Sequence, residues 1–91
     1  MKYTYYTRGT CSSQIDLEID EQGIVRDVTF YGGCHGNLQG IAVLVRGMKA
    51  SEVISKFQGI RCGYKSTSCP DQLANALREA LAQNKNDEIT N

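Results

Sequence analysis

The chain has 91 residues with ten acidic and ten basic side chains, so its formal net charge is zero. A chain of this length predicts one small domain with little stability to spare, and its balanced charge argues against a nucleic-acid partner, which usually meets a strongly basic surface. We find neither the apolar run of a signal peptide nor the roughly 20 apolar residues that a membrane span needs. We therefore expect no membrane partner and a cytoplasmic protein with reduced thiols.

The first third of the chain predicts an antiparallel meander of three strands. Residues 2–7 are rich in Tyr and Thr, which favour strands. Residues 15–19 alternate apolar and acidic side chains, which is typical of a strand with one wet face. The sequence DEQG at 20–23 predicts a turn. The third strand then presents three apolar residues on one face: Ile24, Val28 and Phe30.

The apolar spacing becomes helical in the second half of the chain. Asn37 is the predicted N-cap of a first helix, and Gly47 is its predicted end. A shorter helix is predicted from about Ala50 to Gly59. Strands followed by helices indicate an α+β fold in which three helices pack on one face of the sheet.

The third helix has the clearest boundary signals. Ser68 is its predicted N-cap, Pro70 lies in its first turn, and Asp71 is the expected partner in a variant of the capping box. Six residues form its apolar stripe: Leu73, Ala74, Ala76, Leu77, Ala80 and Leu81. We predict a single domain over residues 1–84, followed by a polar, frayed tail over residues 85–91.

The four cysteines lie near the ends of predicted elements, although none belongs to a CxxC pair. Cys11 lies in the turn between the first two strands, and Cys34 lies in the loop before the first helix. Cys62 lies in a glycine-flanked loop, and Cys69 lies in the first turn of the last helix. If these ends converge, four thiolates suit a tetrahedral soft-metal site. Four buried apolar thiols or two disulfides are the alternatives.

The loop GGCHGN around Cys34 is a second candidate site. Its glycines let the backbone fold tightly and direct amide groups at the sulfur or at a bound anion. The candidate binding residues are Gly32, Gly33, His35, Gly36 and Asn37. We expect His35 to lie beside the site without ligating. The segment 46–65 is locally basic and could face an anionic ligand, and five tyrosines could stack on a ring. The loop is therefore also a candidate site for a nucleotide or a flavin.

The segment STSCPDQLANAL at 66–77, together with FYGGCHGN and IRCG, resembles the TSCPD-domain family, specifically its small four-cysteine members. The resemblance covers nearly the whole chain. In that family the domain also occurs at the C-terminus of adenosylcobalamin-dependent ribonucleotide reductases. Stand-alone members are often labelled ribonucleotide reductases because of that association. The resemblance implies a cysteine-rich accessory module. It does not imply the reductase reaction, which needs a large catalytic barrel that 91 residues cannot form.

The order of strands, helices and cysteines is also similar to that of NifU/IscU-type iron–sulfur scaffolds. That resemblance maps the three cluster-binding cysteines of the scaffolds onto Cys11, Cys34 and Cys69. Cys62 is extra. The sequence has Ser13 where the scaffolds have an acidic residue, Ser68 where they have a histidine, and no chaperone-binding segment. The resemblance therefore implies a shared fold and metal-binding end more than cluster assembly.

Three classes of function are consistent with these features. The first is a non-enzymatic, metal-binding accessory module with a tetrathiolate zinc site, associated with a ribonucleotide reductase or another redox protein; its ligands are Cys11, Cys34, Cys62 and Cys69. The second is electron transfer through an iron–sulfur cluster or through a Cys62/Cys69 dithiol. The third is nucleotide or flavin binding at the GGCHGN loop.

Overall fold

The computed structural model describes residues 1–33 and 35–90, with side chains up to residue 83. Within these residues, three strands precede three helices: β1 (Lys2–Tyr6), β2 (Ser12–Ile19), β3 (Val25–Gly32), α1 (His35–Val45), α2 (Ala50–Phe57) and α3 (Cys69–Thr90). The strands form one sheet in the order β1-β2-β3, and both pairings are antiparallel. The predicted α+β arrangement of a meander followed by three helices is confirmed.

The central strand β2 shows the predicted alternation. Ile15, Leu17 and Ile19 are buried beneath the helices, whereas the intervening Asp16 and Glu18 are only half-buried. Successive side chains of a strand point to opposite faces, so the acidic residues belong to the face away from the core. One face of the sheet is therefore apolar and carries the helices.

The apolar face of β3 agrees with the prediction at Val28, which is buried, and at Phe30, which packs against the core; it differs at its first residue. Val25 and Val28 are buried, whereas Ile24 is half-buried and forms an isolated bridge to Lys49. The pairing jumps where Ile19 meets Val25, so that β3 contains one extra residue there. Such a bulge reverses the inward and outward alternation of a strand, and Val25 therefore takes the place expected for Ile24.

Helix α1 begins earlier than predicted. It starts at His35, so Asn37 lies within the helix and the prediction that Asn37 is its N-cap is wrong. Gly32 and Gly33 have φ angles of 80° and 77°, so the chain has already turned before His35. The predicted helix end at Gly47 is confirmed, because α1 stops at Val45 and Gly47 has a φ of 84°.

The start of α3 is capped as predicted, but its capping box differs. The Asp71 amide donates to Ser68 Oγ at 3.1 Å, which confirms the cap. The Asp71 carboxylate accepts from the Gly59 amide at 2.7 Å and from the Thr67 hydroxyl. The bond from Gly59 connects the end of α2 to the start of α3, and the bond from Thr67 fixes the segment just before α3.

The last helix continues to Thr90, and the predicted fraying of residues 85–91 stays a prediction. No glycine or proline interrupts residues 71–90, so nothing in the local sequence forces the helix to stop. The stripe of α3 packs as predicted, with Leu73 and Leu77 fully buried against the sheet. Across the described part of the chain, no helix combines the length and the apolar character that a bilayer crossing requires.

Candidate functional site

Cys11 and Cys69 meet where the β1–β2 loop lies against the first turn of α3. Their sulfur atoms are 3.7 Å apart although the residues are 58 positions apart in the chain. Both thiols are free; the Cys11 side chain is exposed and that of Cys69 is buried. Two of the four predicted ligands are thus brought together by the fold.

Polar contacts hold the β1–β2 loop on α3. The Arg8 amide donates to Gln72 Oε1 at 3.0 Å, and Gln72 Nε2 donates to Thr67 Oγ1 at the same distance. Gly9 approaches Thr67 so closely that a Cβ atom at residue 9 would lie 3.2 Å from the Thr67 methyl group. Gln72 and Thr67 are buried, and breaking bonds between buried polar groups is costly. The loop that carries Cys11 is therefore fixed relative to Cys69.

Hydroxyl groups surround the sulfur of Cys69. Ser12 Oγ lies 3.2 Å from Cys69 Sγ, and Thr10 Oγ1 lies 3.1 Å from Ser12 Oγ. Burial alone would raise the pKa of the Cys69 thiol, but hydrogen bonds from Ser12, Thr10 and Cys11 outweigh it and bring the pKa below its ordinary value. Cys69 is also the first residue of α3, where the helix dipole favours an anion. The site thus favours a thiolate at Cys69.

The glycine loop before α1 contacts Cys11. A Cβ atom at Gly33 would lie 2.9 Å from Cys11 Sγ, 3.0 Å from Leu38 Cδ1 and 3.2 Å from the Ser12 amide nitrogen. The φ angle of 77° at Gly33 also disfavours any residue with a side chain. Cys34 follows Gly33 in the sequence but lies outside the described residues. Its role as a ligand stays a prediction.

Cys62 lies in the exposed loop between α2 and α3. Its amide donates to the Thr67 carbonyl and its carbonyl accepts from the Lys65 amide, each at 3.0 Å. The residues from 58 to 66 are all exposed. Among the described residues, no three His, Cys, Asp or Glu side chains are close enough to form a metal site. Cys62 therefore does not complete a three-ligand group with Cys11 and Cys69.

The remaining candidates of the GGCHGN loop lie at the start of α1. His35, Gly36 and Asn37 are exposed there. His35 borders a groove of about 400 Å³ between α1 and β3, and Arg46 at the other end of this groove binds Asp27 at 3.0 Å. Nucleotide or flavin binding by these residues stays a prediction.

Sequence reasoning missed Ser12 and Thr10 as parts of the site. The signal was present in the segment GTCSS, because three hydroxyl residues next to a cysteine offer hydrogen bonds to a sulfur. The predicted four-cysteine site included Cys11 with Cys69, whereas the alternative dithiol paired Cys69 with Cys62. The short sequence separation of Cys62 and Cys69 favoured that pairing, whereas docking of the β1–β2 loop selects Cys11.

Comparisons with known proteins place the domain in a family. A family model for the TSCPD domain matches residues 1–81, which confirms the first resemblance. No curated protein and no solved structure matches the chain, so the similarity to NifU/IscU-type scaffolds stays a hypothesis. The family match includes the strands, the glycine loop, all four cysteines and the whole apolar stripe of α3. This chain belongs to the TSCPD-domain family.

Proposed function

We propose that this domain is a metal-binding accessory module that holds zinc through cysteine thiolates. The observation that carries the proposal is the distance of 3.7 Å between the sulfur atoms of Cys11 and Cys69. In a tetrahedron with Zn–S bonds of about 2.3 Å, two sulfur ligands are about 3.8 Å apart. The two thiols therefore already have the spacing of one edge of a tetrathiolate site.

The chemistry of the residues around the pair supports the same proposal. A zinc ligand must be deprotonated, and the hydroxyl groups of Ser12 and Thr10 favour the thiolate of Cys69. Cys34 is the proposed third ligand, since it follows Gly33, which contacts Cys11. Cys62 is the proposed fourth ligand, and its exposed loop must move to bring the sulfur to the pair.

A metal at this position would cross-link the β1–β2 loop to the start of α3. A chain of 91 residues has a thin core, and metal binding to the folded state adds directly to the free energy of unfolding. Hydrogen bonds from Arg8 to Gln72 and from Gln72 to Thr67 already hold the loop and the helix together without a metal. An accessory role is consistent with the family, and we propose a ribonucleotide reductase or another redox protein as the partner.

Elemental analysis of protein purified without added metal tests this proposal. We expect about one zinc per chain, and a midpoint of thermal unfolding that falls when a chelator removes the metal. Cys69→Ser should lose most of the metal, while Ser55→Ala, a change at an exposed position of α2, should retain it. Metal-free protein whose unfolding midpoint does not respond to added zinc would contradict the proposal.

The same measurement distinguishes the alternatives. Cysteine thiolates also hold iron–sulfur clusters. Brown protein that contains iron and sulfide after anaerobic purification would therefore show that the same cysteines bind a cluster and not zinc. A thermal shift with a nucleotide or a flavin that survives Cys69→Ser would instead favour the GGCHGN loop as a ligand site.

A further inference from the structure

We propose that Cys11 and Cys69 form a reversible disulfide when the metal-free domain meets a hydroperoxide. The proposal concerns the same two sulfur atoms as the metal site, but it depends on their geometry and exposure and does not require that metal binds. It makes this pair a modification site that controls whether thiolates are present at the start of α3.

The two sulfurs are close enough for a bond to form with a small movement. They must approach by about 1.7 Å to reach the length of about 2.05 Å that is typical of a disulfide. The Cys11 side chain is exposed, so a rotation toward Cys69 does not disturb the buried core. The backbones on both sides are already held together by the bonds from Arg8 to Gln72 and from Gln72 to Thr67.

The different exposure of the two thiols assigns their roles. Cys11 is exposed and meets the hydroperoxide first, whereas only 7% of Cys69 is exposed. The Cys11 sulfur attacks the peroxide O–O bond, which breaks and leaves a sulfenic acid on Cys11 and one molecule of alcohol or water. The Cys69 sulfur then attacks the Cys11 sulfur, the S–O bond breaks, and the oxygen leaves as water with the thiol proton. Two thiols are oxidised by two electrons and one hydroperoxide is reduced.

The sulfur contact makes Cys69 the preferred partner of an oxidised Cys11. Among the described cysteines, Cys11 and Cys69 are in sulfur contact, while Cys62 has an exposed thiol with no such contact. A sulfenic acid condenses with a thiol that is within reach, and otherwise it oxidises further to a sulfinic acid. Cys11 is thus protected from over-oxidation by Cys69, and a dithiol reductant would restore both thiols.

Peptide mapping of oxidised protein tests the inference, because trypsin places each cysteine on a different peptide. Cleavage after Lys and Arg yields Cys11 in residues 9–26, Cys34 in 27–46, Cys62 in 62–65 and Cys69 in 66–78. Reduced protein is freed of metal with a chelator and treated with an equimolar amount of hydrogen peroxide. Alkylation of the remaining thiols before digestion then preserves the disulfide for mass spectrometry.

We expect two of the four thiols to be lost and a cross-linked peptide that joins residues 9–26 to 66–78. Treatment with dithiothreitol should restore both thiols. With a second equivalent of peroxide, Cys69→Ser should yield a sulfinic acid on Cys11 in place of the cross-link, whereas Cys62→Ser should leave the cross-link unchanged. A cross-link to Cys34 or Cys62, or four retained thiols, would overturn the inference.

The result is separable from the test of the metal site. A Cys11–Cys69 cross-link in protein that never binds zinc would refute the proposed function and support this inference. If zinc does bind, prior loading should slow the loss of thiols several-fold, since the same sulfurs are then occupied. Zinc binding without any cross-link after peroxide would support the metal site and overturn the inference.

Discussion

Replacing Gly33 with alanine tests the contact between the glycine loop and Cys11. The added Cβ atom would lie 2.9 Å from Cys11 Sγ, 3.0 Å from Leu38 Cδ1 and 3.2 Å from the Ser12 amide nitrogen. The two side chains can move by a few tenths of an ångström. The amide of Ser12 belongs to β2 and cannot move without disturbing the sheet.

Two contributions lower the free energy of unfolding when Gly33 is replaced by alanine. The φ angle of 77° places Gly33 in the left-handed region, which costs a residue with a side chain about 1–2 kcal/mol. Crowding of a packed site costs about 1–3 kcal/mol more. We therefore expect Gly33→Ala to lower the free energy of unfolding by about 2–5 kcal/mol. In a domain of this size, each kcal/mol lowers the midpoint of thermal unfolding by roughly 4–8 °C.

The chain offers two matched controls for the same chemical change. Gly47 also has a positive φ, 84°, but a Cβ atom there would meet nothing within 4 Å. Gly47→Ala should therefore show the conformational cost alone, about 1–2 kcal/mol. Gly40 lies inside α1 with open space around it, and alanine there should stabilise the helix by up to about 1 kcal/mol.

Chemical denaturation of the three variants, followed by circular dichroism, measures these differences. The expected order of stability is Gly40→Ala above the unchanged chain, then Gly47→Ala, then Gly33→Ala. Zinc affinity at the proposed site should fall in Gly33→Ala and stay constant in Gly47→Ala, because only the first disturbs Cys11. Equal destabilisation of the Gly33 and Gly47 variants would show that the loop does not press on Cys11, and the reasoning would fail.

Three further substitutions test the core, the thiol site and the start of α3. Leu77→Ala should lower the free energy of unfolding by about 2–5 kcal/mol because the side chain is fully buried; a loss below 1 kcal/mol in urea denaturation would contradict the packing. Ser12→Ala removes the hydroxyl 3.2 Å from Cys69 Sγ, so the pKa of that thiol should rise, and an unchanged pH titration of thiolate absorbance would contradict the site. Hydrogen bonds from the Thr67 hydroxyl and a backbone amide hold the pKa of Asp71 below its usual range, so this stabilisation is complete above about pH 4 and is lost as the pH falls through the lowered pKa. Asp71→Asn should therefore be less stable at neutral pH and lose less stability on acidification; parallel acid profiles would contradict this.

The pattern of the sequence predicted the strands and helices because each has a strong local signal. The alternation at residues 15–19 and the stripe of Leu73 and Leu77 report directly which side chains face the core. Helix ends were predicted where a glycine must adopt a positive φ, as at Gly47. Predictions failed where the cause is a pairing between strands, as with the bulge that buries Val25 in place of Ile24.

What the sequence determined by itself is the α+β order of elements and the positions of Cys11 and Cys69 at the ends of elements. Those features depend on periodicity and capping, which act over a few neighbouring residues. The tertiary structure decided that Cys11, rather than Cys62, contacts Cys69. That choice depends on the packing of Gly9 against Thr67 and on the bond from Arg8 to Gln72, between residues about sixty positions apart. A local pattern carries no information about such contacts, because they form only when the folded sheet brings its loop to the start of α3.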